Sequence, residues 1–272
     1  MKLMKTRAIA FFMICVVFLV VAQAQQPHVE LARGLSNATS DAALNANTAV
    51  VVTIPTANEF YIGDLRTPKN ELGRRISESL KGRSEAARFV YIAAGRAVDF
   101  GTVVEVLNII RQEDIDHFRL IVDRGRAREI SHGTFLIVVP SLRDPGEDVS
   151  KLKPNPLTLV VSVSMELELK VNQDSGPRRG QLCFSSAPHG FASDPDKLQN
   201  FLGCLFAHRT KLHAYKVGME TRTDVPAEHR IEKTTFVKAS RAIKFGDVLR
   251  VIDSIKGAGA DPIGLQIDDL PN

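Results

Sequence analysis

With 272 residues, 44% of them apolar, the chain is long enough for two cores of ordinary size rather than one. Its 35 basic residues against 31 acidic ones give a formal charge of +4, but Lys2, Lys5 and Arg7 precede the first acid, and from Gln25 onward the balance is 32 − 31 = +1. A pI of 9.0 therefore reflects the start of the chain, and a nucleic-acid surface, which needs a basic stripe on the folded part, is excluded.

Fifteen consecutive apolar residues, Ala8 to Ala22, follow the three basic ones, and Ala22-Gln23-Ala24 has the small-x-small pattern that a signal peptidase cuts after. Fifteen residues span about 22 Å of helix, short of the roughly 30 Å hydrocarbon layer. Residues 1–24 thus read as a signal peptide or as a membrane anchor, and both put the rest outside the cytoplasm. Residues 25–47 are small and polar, with Val29 and Leu31 as the only anchors, and read as a tether.

The first domain is expected over 48–133. Val50 to Ile54 and Glu59 to Gly63 read as a hairpin around Pro55 to Asn58. Thr67 is placed as an N-cap with Pro68 at the first helical position, and Leu72, Ile76 and Leu80 give that helix its buried face. A strand at Phe89 to Ala93, a helix with the stripe Val103, Leu107 and Ile110, and a strand at Phe118 to Val122 complete a parallel crossover. Residues 134–156 hold a strand, Thr134 to Val139, and a Pro-rich linker from Leu142. The second domain, 157–272, carries an insertion at about 173–231. Within it lie a turn-rich loop, Gly176 to Gly180, and a helix opened by Asp194-Pro195 with Leu198, Phe201, Leu202, Leu205 and Phe206 on one face. A strand at Thr235 to Ala239, a helix with Val248, Ile252 and Ile255, and a strand at Ile263 to Ile267 close the chain.

These series match. Arg96 to Asp123 recurs without a gap as Arg241 to Asp268, moved by 145 positions, and the two strands upstream recur moved by 109, so the second copy has gained 36 residues between Asn172 and Arg241. The expected fold is α+β: two tandem β-β-α-β-α-β domains, each a mixed sheet with two helices on one face, after an N-terminal apolar helix. An extra strand precedes each copy, at Val29 to Leu31 and at Leu136 to Val139, free to pair with its own sheet or a neighbour's edge. Phe100, Gly101, Phe245 and Gly246 form the structural repeat motif, the glycines being read as allowing close packing where strand turns into helix. Arg96 and Arg241 read as solvated loop arginines rather than grips for an acidic group. Asp99 suits a helix start, but its counterpart is Lys244, so that charge is not a shared requirement.

Catalytic signatures are absent from the sequence: there is no GxSxG, HExxH, Walker or dinucleotide-binding motif. The seven histidines are scattered, and His208 and His213 miss the i, i+4 spacing of a helical metal site. No catalytic, cofactor-binding or metal-ligating residue is assigned, and no cofactor is expected. Cys15 lies in the leader, whereas Cys183 and Cys204 both lie in the insertion. An oxidising compartment favours a bridge between them; two buried free thiols are the other reading.

The run AVDFGTVVEVLNIIR and its counterpart AIKFGDVLRVIDSIK, each an apolar-x-Phe-Gly-x-Val-[Val/Leu]-x-Val segment followed by a strand, behind one N-terminal apolar segment, resemble the periplasmic domain of the ExbD/TolR biopolymer-transport family. The resemblance covers both halves. It implies a non-enzymatic component of envelope protein transport energised by the proton motive force, acting as a periplasmic arm at the bacterial inner membrane. It further implies an ExbB/TolQ-like membrane channel protein and a TonB/TolA-like protein as partners, with a homodimer as an option. Two departures limit it. Family members usually carry an acidic residue where Gly95 and Ser240 stand, and Ala8 to Ala22 lacks the aspartate that a proton relay requires. The resemblance therefore carries over the fold and the cellular system, not the proton step. The alternative is a fully secreted periplasmic module that binds a peptide or peptidoglycan without a motor.

Overall fold

The computed structural model describes residues 27–41, 49–84, 87–125, 131–139, 157–173, 183, 191–192 and 194–267. The apolar leader, the linker from Leu142 and the Gly176 to Gly180 loop fall outside them, as does the expectation of a signal peptide or anchor. Among the described residues no helix is long and apolar enough to cross a membrane.

The first copy runs β1 (Val51–Thr56), β2 (Glu59–Ile62), β3 (Leu65–Arg66), α1 (Leu72–Leu80), β4 (Val90–Ala94), α2 (Phe100–Arg111) and β5 (His117–Asp123). After β6 (His132–Val138) the series repeats as β7 (Leu159–Val163), β8 (Glu168–Gln173), β9 (Phe191–Ala192), α3 (Pro195–Lys211), the short α4 (Ala227–Arg230), β10 (Thr235–Ala239), α5 (Phe245–Gly257) and β11 (Ile263–Leu265). The stripes expected on α2 and α5 are buried, Val103, Leu107 and Ile110 in one and Val248, Ile252 and Ile255 in the other. Such burial contributes about 1.5–3 kcal/mol per large aliphatic side chain. Asp194 caps α3 as its sequence suggests, accepting from the amides of Asp196 and Lys197 with Pro195 following. Thr67 does not cap α1. Its hydroxyl donates backwards to the Leu65 carbonyl at 3.0 Å, and a short 3-10 turn, Lys69–Glu71, leads into the helix.

Among the described residues the eleven strands form one sheet, in the order β3-β2-β1-β4-β5-β6-β11-β10-β7-β8-β9. The expectation of a separate sheet in each copy is corrected by β6. This strand pairs antiparallel with β5 from His117↔Val138 to Asp123↔His132, and meets β11 in parallel at Gly264↔Val138. It is thus not an extra strand of the second copy alone but the strand that joins the two. Read from opposite ends, β3-β2-β1-β4-β5 and β9-β8-β7-β10-β11 are the same series, so the halves are related by an approximate two-fold rotation, with the long helices of both on one face. Strand side chains alternate accordingly. Val52, Ile92, Leu120, Phe135, Val161, Val237 and Leu265 join α1, α2, α3 and α5 in a single core that spans both copies.

The other face differs between the copies. Tyr91, Ala93 and Ile121 form an apolar patch in the first, packed against Val29, Leu31 and Phe89. Their counterparts 145 positions on are Phe236, Lys238 and Gln266. Phe236 lies over Gly264, where an added Cβ would meet its ring at 2.3 Å, and the two polar residues remain partly exposed. The first copy therefore has an outer face that must be covered, and residues before β1 cover it.

Residues 27–41 accordingly do not form a free tether. Ala32, Leu35 and Ala38 are buried in the shared core. Asp123 accepts from the Gly125 and Ser131 amides and meets the Arg33 side chain at 3.2 Å, and Thr39 forms an antiparallel bridge with Thr134 on β6. Val29 and Leu31 do anchor the segment, on the outer face, but as packing side chains rather than as a strand.

Candidate functional site at the junction of the two copies

The repeat motif is where the copies touch. Each helix start donates to the other copy's preceding loop: Phe100 N to the Ile243 carbonyl and Phe245 N to the Val98 carbonyl, both at 2.8 Å, then Gly101 N to the Arg241 carbonyl at 2.8 Å and Gly246 N to the Arg96 carbonyl at 3.0 Å. Every partner is its mate's counterpart at the same offset of 145, so the four bonds are two reciprocal pairs. They satisfy first-turn amides that a helix leaves without internal partners. The reading of the glycines needs correction on this point. A Cβ on Gly101 would stand 3.1 Å from the Arg241 carbonyl oxygen, and one on Gly246 3.0 Å from that of Arg96. The close approach is to the other copy, not to the strand before the helix. Phe100 and Phe245, almost wholly buried, anchor the same turn from inside.

Side chains around the junction break the two-fold. Asp99 and Lys244, counterparts in the repeat, face each other and pair at 2.6 Å. Arg96 reaches Glu30 at 2.8 Å, and an Arg241 Nη donates to the Ile267 carbonyl at 3.3 Å. Both arginines thus have intramolecular partners, the first of them an acidic one.

The 27–41 segment crosses from one copy to the other. The Asn37 amide donates to Asp253 Oδ1 at 2.8 Å, and its side-chain amide donates to Oδ2 and to the Asp253 carbonyl at 3.1 Å each, tying the segment to α5. On the outer face, Asp41 accepts from the Tyr91 hydroxyl at 3.1 Å and from Arg119 at 2.9 Å. Burial, followed by Asp41, pushes the Tyr91 phenol up to about 12. Burial also raises the Asp253 carboxyl above its ordinary range and outweighs the Asn37 hydrogen bonds, which act the other way. Between the ordinary value and the raised one, the folded state holds more protons than the unfolded, so this group's contribution to stability falls as pH rises through that window and is fully present below it. Urea midpoints measured across roughly pH 3 to 6 should lose this part of their slope in Asp253→Asn; an unchanged slope would show that Asp253 does not titrate in the fold.

In the insertion, Cys183 and Cys204 of α3 are joined as a disulfide, with Cα atoms 6.0 Å apart across a separation of 21 residues. Closing a loop of that length stabilises by about 3 kcal/mol in the chain-entropy account. Cys183→Ser should therefore lower the urea midpoint, and reductant should lower that of the native chain but not that of the variant. Arg209, buried on α3, donates to the Glu232 carbonyl at 2.9 Å and to the Leu157 carbonyl, holding α3 to the entry strands of the second copy. Burial depresses its pKa. Asn37, Asp41 and Arg209 escaped the sequence reading, since a lone polar residue among polar or helical neighbours carries no periodic signal.

Among the described residues, no group of three or more His, Cys, Asp and Glu side chains is placed to hold a metal ion. The described residues form an α+β fold on one large mixed sheet, and the motif residues at the junction make intramolecular contacts. Residues 7–125, the leader and the first copy, match the family model of the biopolymer transport protein ExbD/TolR, which bears out the resemblance over that stretch. No curated protein and no solved structure matches the chain.

Proposed function

We propose that this protein is an ExbD/TolR-like component of envelope protein transport energised by the proton motive force, with both copies acting outside the membrane as a partner-binding arm and without enzymatic activity. The observation that carries this reading is the family match over residues 7–125, which takes in the apolar leader as well as the first copy. By the family resemblance, the partners are an ExbB/TolQ-like membrane channel protein and a TonB/TolA-like protein. Two tandem domains, 48–133 and 157–272, share the one sheet in this reading, and a retained leader holds them at the inner membrane.

Residues 8–22 carry no aspartate. The proton then passes through a carboxylate of another subunit, because this segment supplies none. Cys15→Ala is expected to leave transport unchanged at normal protein level, and loss of transport would contradict this division of labour.

The second reading, a secreted periplasmic module that binds a peptide or peptidoglycan with no motor, is favoured by Ala22-Gln23-Ala24. Intact masses from membrane and soluble fractions separate the two. A chain starting at Met1 in the membrane fraction, co-purifying with a channel subunit, supports the transport arm; a chain starting at Gln25 only in the soluble fraction overturns it.

A further inference from the structure

The insertion builds a cavity against the shared core of the second copy. Its volume is about 220 Å³, and its walls include Lys216, Glu228 and His229 from the insertion and Lys233, Lys256 and Asp261 from the flanks of β10 and α5. All three lysines are partly buried. Lys256 faces Asp261 at 4.0 Å. Among the described residues, no side-chain hydrogen bond or ion pair engages the ammonium of Lys216 or of Lys233. Both ammonium groups are therefore free to donate to an oxyanion that enters the cavity. With Glu228 and Asp261 also on the walls, the cavity sets three lysines against two carboxylates and keeps a positive balance.

In the first copy a cavity at the end of α1 is lined by Lys81, Arg83 and Arg88, and shares with the second-copy cavity the one position that Arg88 and Lys233 occupy. There Glu78 pairs with Arg74 at 2.7 Å, and Arg88 donates to the Glu113 carbonyl at 3.5 Å. Arg88 is the counterpart of Lys233 at the offset of 145. Both copies therefore put a basic residue at the same point of the repeat, and each time it borders a cavity with two further cations.

From the two unpaired ammonium groups on its walls we infer that the second-copy cavity is an oxyanion site that takes one carboxylate or phosphate group, with Lys216 and Lys233 as its ligands. Lys216 belongs to the insertion, so the extra residues of the second copy supply part of a binding site. The inference does not rest on the transport reading, since a secreted module would use the same cavity.

The test is a titration of the isotope-labelled, disulfide-bonded chain with inorganic phosphate and with acetate, each against sodium chloride at matched ionic strength, followed by amide resonances. Phosphate or acetate should shift the amides of Lys216, Lys233 and residues 256–261, and the double variant Lys216→Gln, Lys233→Gln should weaken binding at least ten-fold, on the order of 1.4 kcal/mol, with an unchanged melting temperature. Lys211→Gln, on the exposed end of α3 outside the cavity, should bind as the native chain does. Flotation with phosphatidylglycerol and with phosphatidylcholine vesicles identifies the source. Anionic-vesicle binding that the double variant loses assigns a lipid headgroup, whereas phosphate binding without vesicle binding assigns a soluble or polymer-borne group. Shifts that chloride reproduces, or that survive the double variant, overturn the site.

Discussion

Leu107→Ala and Ile252→Ala are each expected to lower the free energy of unfolding by about 2–5 kcal/mol, and to do so by shifting one and the same transition. The two residues are counterparts in the repeat, on α2 and α5, and both are fully buried in the core shared by the copies. Truncation to alanine removes transfer free energy and leaves a void that packed neighbours fill only in part. The shared transition follows from the sheet, since β6 pairs with β5 on one side and touches β11 on the other. Circular dichroism during urea unfolding measures both quantities. Two resolved transitions, with each variant moving only one of them, would show that the copies unfold separately in spite of their common sheet.

The junction glycines give the second large effect. Gly246→Val places a branched side chain where even a Cβ would stand 3.0 Å from the Arg96 carbonyl oxygen, which is the acceptor of the Gly246 amide. Backbone on both sides must then move, the reciprocal hydrogen bonds lengthen, and the expected loss is about 1–3 kcal/mol, as for overpacking elsewhere. Gly101→Val should cost a similar amount, because its geometry is the mirror of this one, at 3.1 Å from the Arg241 carbonyl. Gly203 is the control. It lies within α3 with nothing within 4 Å of an added Cβ, so Gly203→Ala should stabilise by about 0.5–1 kcal/mol through helix propensity alone. Equal effects at Gly203 and Gly246 would remove the case for a close inter-copy contact.

Much of the fold was legible in the sequence because local periodicity fixes it. The stripes Val103, Leu107, Ile110 and Val248, Ile252, Ile255 repeat at helical spacing, and the strands beside them are short β-branched runs. Comparison within the chain picked out Phe100, Gly101, Phe245 and Gly246, but not the reason for them, since a glycine needed against a distant backbone looks the same as one needed nearby. The single sheet was hidden for a similar reason. Thr134 to Val139 reads as a strand from its own residues, but which edges it joins depends on partners far away in the chain. The docking of residues 27–41 escaped because its contacts are few and aperiodic: isolated apolar side chains at Ala32, Leu35 and Ala38, and single polar groups at Arg33, Asn37 and Asp41. The outer-face difference was written in the repeat as Ala93 against Lys238 and Ile121 against Gln266, a signal that acquires meaning only once those positions are known to share a face.

The reciprocal junction has a consequence in mass action. Two separate chains meeting through these four hydrogen bonds would part on dilution, because association depends on protein concentration. Here the partners are joined by covalent chain, so closing the junction is intramolecular and independent of protein concentration, and it should remain closed in nanomolar solution. Covalent union also lifts a constraint of symmetry. In a two-fold homodimer a position facing its own counterpart meets an identical residue, and a charge there would face its like, whereas this chain sets Asp99 opposite Lys244.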